Sequence, residues 1–111
     1  MSETVTNLKD YFATLNTRFI AAESAGVKAI YQFNLAGEGG GDWWLDVDDG
    51  KLTVHEGLHE KPNTTYKMDA QNYIKLVNGQ LNGRMAVLTG KMKVSGSLPS
   101  AYKMQKFLPT K

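Results

Sequence analysis

The chain of 111 residues contains no cysteine. This excludes disulfides, thiolate nucleophiles and cysteine-based zinc sites together, and it suits a reducing, cytoplasmic setting. Acid is missing from a long stretch. Residues 70–111 hold 7 Lys/Arg and no Asp or Glu, whereas residues 1–69 hold 6 Lys/Arg and all 11 acids. No apolar run approaches the ~18 residues that a membrane span needs. The opening residues, Met1 to Phe12, lack a basic start followed by an apolar run, so no signal peptide is expected. Pro109-Thr110-Lys111 does not spell a peroxisomal address.

What is present points to one soluble domain over residues 1–111. A hydrophobic fraction of 41% with 22% charge is too apolar for a disordered chain. The basic stretch carries no groove-reading or stacking motif, so nucleic acid is not an expected partner.

Periodicity divides the chain. Residues 4–23 read as a helix, with Val5, Leu8, Phe12, Leu15 and Phe19 at steps of three and four. Asn16 is a break point in that run, and Gly26 a stop. Ala29, Tyr31, Phe33 and Leu35 then alternate with polar neighbours, as do Trp43, Leu45 and Val47. Asp49-Gly50 signals a tight hairpin turn, returning through Leu52 and Val54. Thr64 to Met68 forms a fourth strand. Asp69 is placed to cap a helix carrying Tyr73, Ile74, Val77 and Leu81. That helix halts at Gly79 and restarts after Asn82. Residues 91–95 make a fifth strand. Ser97 and Pro99 open a last helix with Ala101, Met104, Phe107 and Leu108 on one side. The expected class is α+β: a five-stranded, mostly antiparallel sheet covered on one face by helices.

Three motifs could carry chemistry. His55-Glu56-Gly57-Leu58-His59 spells the HExxH string of zinc hydrolases, which needs a helix to bring both imidazoles to one metal. Here it continues a strand, and Gly57 weakens any helix. Asp46, Asp48 and Asp49 depart from calcium-loop spacing. The glycine loop 37–41 enters a strand rather than the helix a phosphate loop requires. No Ser-His-Asp set stands out. The expectation is therefore no catalytic residue, no metal and no cofactor.

Several segments in order resemble the sterol carrier protein type 2 family: Ala29-Ile30-Tyr31-Gln32-Phe33-Asn34, Gly37 to Trp43, Asp49-Gly50-Lys51, Glu56-Gly57, Tyr73, Leu81-Asn82, and Gly90-Lys91-Met92-Lys93-Val94 with Gly96. The resemblance implies an apolar tunnel between sheet and helices. It also implies non-catalytic binding or transfer of a long-chain lipid, such as a fatty acid, acyl-CoA or sterol-like molecule. A free-standing, prokaryotic-type member is expected. The wall is expected to include Phe33, Ile74, Val77, Leu81, Met85, Leu88, Met104 and Phe107. Lys91, Lys93, Lys103 and Lys106 are expected to give weak contact with anionic membranes. Two other readings stand beside this one: a module that presents lipid to a partner enzyme, and a zinc hydrolase through His55 and His59.

Overall fold

Residues that alternate in polarity fold as sheet when one side can be buried, and five segments do so here. The computed structural model describes residues 5–108. Strand β1 (Lys28–Ala36) buries Ala29, Tyr31, Phe33 and Leu35, and β2 (Gly41–Asp48) buries Trp43, Leu45 and Val47. β3 (Lys51–Glu56) turns Leu52 and Val54 toward the same side, half-buried. β4 (Thr64–Asp69) buries Thr64, Tyr66 and Met68, and β5 (Met92–Gly96) buries Met92. The strand order is β3-β2-β1-β4-β5. β1 and β4 run parallel and the other neighbours antiparallel, so the sheet is mixed. The opposite face is lined by Lys28, Asn34, Asp46, Thr53, Lys67 and Lys93, as a one-sided sheet requires.

Two turns set the register. Asp49 (φ 43°) and Gly50 (φ 87°) are both left-handed, the geometry of a two-residue hairpin turn. The Asp49 carboxylate also accepts a bond from the Gly26 N–H at 2.7 Å. At the exit of β5, Gly96 has φ 90°, and a Cβ there would collide with the Asn63 carbonyl. That same carbonyl accepts the Ser97 N–H at 2.7 Å, while the Asn63 side chain accepts the Ile30 N–H at 2.7 Å. The start of the last helix is thereby tied to β1.

The helix expected over 4–23 is replaced by three pieces. Helix α1 covers Leu8–Ala13, and single 3₁₀ turns follow at Leu15–Thr17 and Ala21–Ser24. The Thr14 hydroxyl donates to the Asp10 carbonyl (2.8 Å) and the Thr17 hydroxyl to the Thr14 carbonyl (2.7 Å). Such back-bonding competes with the helical ladder. Ile20 is extended, which ends the path. Val5, Leu8, Phe12 and Leu15 are nonetheless buried. The first four residues of the chain and Pro109–Lys111 lie outside the described residues.

The remaining helices start where the sequence places caps. The Asp69 carboxylate accepts from Gln71 N–H (2.9 Å) and Asn72 N–H (3.4 Å) to open α2 (Ala70–Val77). Asn82 caps α3 (Gly83–Leu88), and the Ser97 hydroxyl accepts the Ser100 N–H to open α4 (Leu98–Phe107). α2 packs on β4 and β1, α3 on β5, and α4 on β4 and the Ala21–Ser24 turn. α1 sets Phe12 against Phe33 and Trp43. Among the described residues no helix is long and apolar enough to cross a membrane.

Candidate functional site

Between sheet and helices lies a bed of aromatic rings. Phe33 stacks on Tyr66 (5.0 Å, 16°) and meets Tyr73 edge-on at 5.7 Å. Phe12 stacks on Trp43 at 4.5 Å. Toward the other end, Tyr31 and Phe19 both meet the fully buried Phe107 ring, at 6.1 and 5.8 Å. The Tyr31 hydroxyl donates to the Ser100 carbonyl at 2.8 Å, and the Tyr73 and Tyr11 hydroxyls pair at 3.5 Å. Burial pushes the phenols of Tyr11, Tyr66 and Tyr73 up and that of Tyr31 up to about 12. All four stay neutral at physiological pH. The bed is therefore apolar, with hydroxyl groups and no fixed charge of its own.

The helices above this bed dock on the sheet separately, α4 without extensive contact to α2 or α3, and the line between the two groups is the seam. α4 packs chiefly on the Ala21–Ser24 turn and β4, whereas α2 and α3 attach along β4, β1 and β5. Residues left half-buried against the core include Ile74 on α2, Leu81 before α3, Val94 on β5, and Ala101 and Met104 on α4. The flanking helices carry exposed apolar side chains: Met85, Val87 and Leu88 on α3, Leu98 and Tyr102 on α4. Large apolar groups left in water mark these helices as candidates for contact with an apolar partner.

Two open depressions lie elsewhere. One of about 420 Å³ runs between α1 and β3, past Lys9, Phe12, Trp43 and Leu52. The other, about 620 Å³, sits at the end of β1 and β4, where Lys67, Lys91 and Lys93 face Asp42 and Asp69. Leu35, Ala36 and Met68 line it beside these charges.

The histidines occupy the water-facing side of the sheet. His55, on β3, stacks on Trp44 at 3.9 Å, and His59 meets the same indole edge-on at 4.6 Å. The Nδ1 of His59 accepts the Lys61 N–H, and the His59 backbone N–H donates to Gln32 Oε1. HExxH is thus a strand end and a loop, without the helical turn that zinc chemistry needs. Among the described residues no group of three or more His, Asp or Glu is placed to hold a metal.

This arrangement was compared with known proteins. A model described as the SCP-2 sterol transfer family matches residues 12–109. The chain belongs to this family. It is 38% identical over 82 residues to hydroxysteroid dehydrogenase-like protein 2 of Xenopus tropicalis, covering 73% of this chain but 20% of that protein. The chain therefore spans about a fifth of that relative's length. In structure it is similar to the stereoselective inverting sec-alkylsulfatase Pisa1 from Pseudomonas sp., with TM-score 0.80 and 18% identity over 96% of this chain and 17% of that one. It is also similar to Aedes aegypti sterol carrier protein-2 in complex with palmitate, with TM-score 0.67 and 20% identity over 100% of both chains. At such identities the two structures establish the fold alone.

The wall residues expected from the sequence fall into three groups in this SCP-2 domain. Phe33, Val77 and Phe107 are buried in the packed core. Ile74, Leu81 and Met104 are half-buried, and Met85 and Leu88 are 51% and 73% exposed. Tyr66 and Val94 were not in the expected set. Both sit on inward positions of alternating strands, a signal the sequence does contain. Of the lysines, Lys91 and Lys93 share the depression with Lys67, whereas Lys103 and Lys106 are exposed on α4, in the helical layer.

Proposed function

We propose that this chain binds a long-chain lipid without chemical change, lodging the hydrocarbon in a tunnel that opens at the seam over β4 and β5. The observation that carries this reading is the set of incompletely buried apolar residues on the helices and β5. Ile74, Leu81, Val94 and Met104 stay half-buried where a full core would cover them, and exposed apolar residues flank them. Membership of the SCP-2 sterol transfer family and the fold shared with a palmitate-bound sterol carrier protein support it. Lys103 and Lys106, exposed on the same helix as Met104, are proposed to hold the seam near anionic lipid.

Burial of each methylene contributes about 0.8 kcal/mol before ordering costs. Displacement of a fluorescent fatty acid by chains of eight to eighteen carbons tests the reading. Affinity is expected to rise by up to about 15-fold per two carbons until the tunnel is full. Equal or absent competition across the series overturns it.

A second reading, presentation of lipid to an enzyme, is favoured by one observation. Segments similar to this chain make up 20% of the dehydrogenase-like protein and 17% of the alkylsulfatase chain. Co-purification of the chain with an enzyme whose turnover of a lipid substrate rises on its addition is the expected sign.

A further inference from the structure

Four tyrosines are buried among the described residues: Tyr11, Tyr31, Tyr66 and Tyr73. Tyr11 and Tyr73 pair with each other, and Tyr31 donates to Ser100 on α4. Tyr66 is different. Its residue is 7% exposed, yet among the described residues its hydroxyl has no hydrogen-bond partner. No sealed side-chain nitrogen or oxygen among the described residues is left without a partner. The Tyr66 hydroxyl is therefore not sealed: its oxygen keeps some contact with solvent.

The register sets the neighbours of Tyr66. On β4, Tyr66 stands between Phe33 of β1 and Val94 of β5. The Phe33 ring covers one face of Tyr66, stacked at 5.0 Å, whereas Val94 on the other flank is half-buried. The flank of Tyr66 toward β5 is thus the less tightly covered of the two. A phenol without a protein partner leaves a hydrogen bond for water or a ligand oxygen to supply.

We propose that the Tyr66 hydroxyl hydrogen-bonds the polar end of the bound lipid, and that this end is an uncharged oxygen, an alcohol or a carbonyl. This presupposes the lipid-binding function proposed above and goes further by naming the group at the ligand's inner end. Charge is disfavoured there for a physical reason. Burial, with Tyr31 alongside, holds the Tyr66 phenol itself in its neutral form, and the same surroundings penalise a carboxylate. Arg18 stands over the Tyr11 ring, 5.2 Å from its centroid, and bears on Tyr11 rather than on Tyr66. An ionised fatty acid accordingly binds with its carboxylate outward and makes no use of Tyr66.

Tyr66→Phe keeps the stack on Phe33 and removes only the oxygen. The probes are dodecan-1-ol, dodecane and laurate, each displacing the same fluorescent fatty acid from wild-type and Tyr66→Phe protein at pH 7.5. Affinity for dodecan-1-ol is expected to fall about 5- to 20-fold, the weight of a buried hydrogen bond whose partner is lost. Dodecane and laurate are expected to bind both proteins alike. Equal affinity of wild type and Tyr66→Phe for dodecan-1-ol overturns the assignment and leaves water as the partner. A wild-type chain that binds none of the three probes removes the lipid-binding function itself. Should Tyr66→Phe fail to fold, the wild-type chain labelled with [13C]tyrosine decides the matter. The Cζ resonance of Tyr66 is expected to shift with dodecan-1-ol and not with dodecane, and identical spectra with both overturn the proposal.

Discussion

Asn78 holds the backbone of Val5 with both ends of its amide. The Val5 N–H donates to Asn78 Oδ1 at 2.7 Å, and Asn78 Nδ2 donates to the Val5 carbonyl at 2.8 Å. These bonds join positions 73 residues apart and fasten the approach to α1 beside the end of α2. Asn78→Ala leaves both Val5 groups without a protein partner and is expected to cost about 1–3 kcal/mol. Asn78→Asp keeps the acceptor and is expected to cost less. Urea unfolding of the two variants measures this, and an unchanged midpoint for Asn78→Ala would show that the tie carries no stability.

The buried phenols predict an alkaline limit to the fold. Tyr31 has its phenol raised from 10.0 to about 12 by burial, and those of Tyr11, Tyr66 and Tyr73 are raised as well. The unfolded chain releases these protons near pH 10, before the folded chain does, so the unfolded state binds fewer protons above that point. The stability they contribute is full below pH 10 and is lost as pH rises through the folded values. Tyrosinate absorbance and circular dichroism are expected to change together between pH 10 and about 12. Titration of all the tyrosines near pH 10 in a protein that stays folded would contradict this.

The HExxH string is expected to be silent. His55 contributes a ring stacked on Trp44, on the side of the sheet away from the seam. The double change His55→Ala with His59→Ala removes ring contacts worth about 0.5–1.5 kcal/mol and should leave lipid affinity alone. Chelator treatment should change neither folding nor binding. A stoichiometric metal that is lost in the double variant would reverse this conclusion.

Much of the fold is legible because its signals are local. The inward positions of β1 and β2 follow from period two, Asp49-Gly50 marks its own turn, and Asp69, Asn82 and Ser97 mark three helix starts. The parallel pairing of Phe33 with Tyr66 is not local, and nothing near either residue announces it. The broken helix is hidden for another reason. Leu8, Phe12 and Leu15 keep helical spacing although Thr14 and Thr17 bend the chain into 3₁₀ turns. The seam depends on α4 docking against the Ala21–Ser24 turn, a tertiary event. Sequence spacing therefore groups Met104 with Phe107, and only docking separates them.

That separation gives a prediction about α4. Phe107 is fully buried against Tyr31 and Phe19, and its carbonyl accepts the Ile20 N–H at 2.9 Å. Three residues earlier, Met104 is only half-buried. Phe107 at the end of the helix is thus core, while Met104, one turn earlier, is only partly covered. Phe107→Ala empties a packed site and is expected to cost about 3–5 kcal/mol, a large share of the roughly 5–15 kcal/mol that holds a domain folded. Met104→Ala loses less contact and should cost about 1 kcal/mol or less of stability, because water already reaches part of the side chain. Its effect should fall on the ligand instead. Removing its three outer atoms withdraws apolar contact from a bound chain and is expected to weaken fatty-acid affinity about 3- to 10-fold. Urea unfolding and ligand titration on both variants distinguish the two roles. Equal loss of stability in the two variants, with no loss of affinity in Met104→Ala, would make α4 core throughout and move the lipid away from the seam.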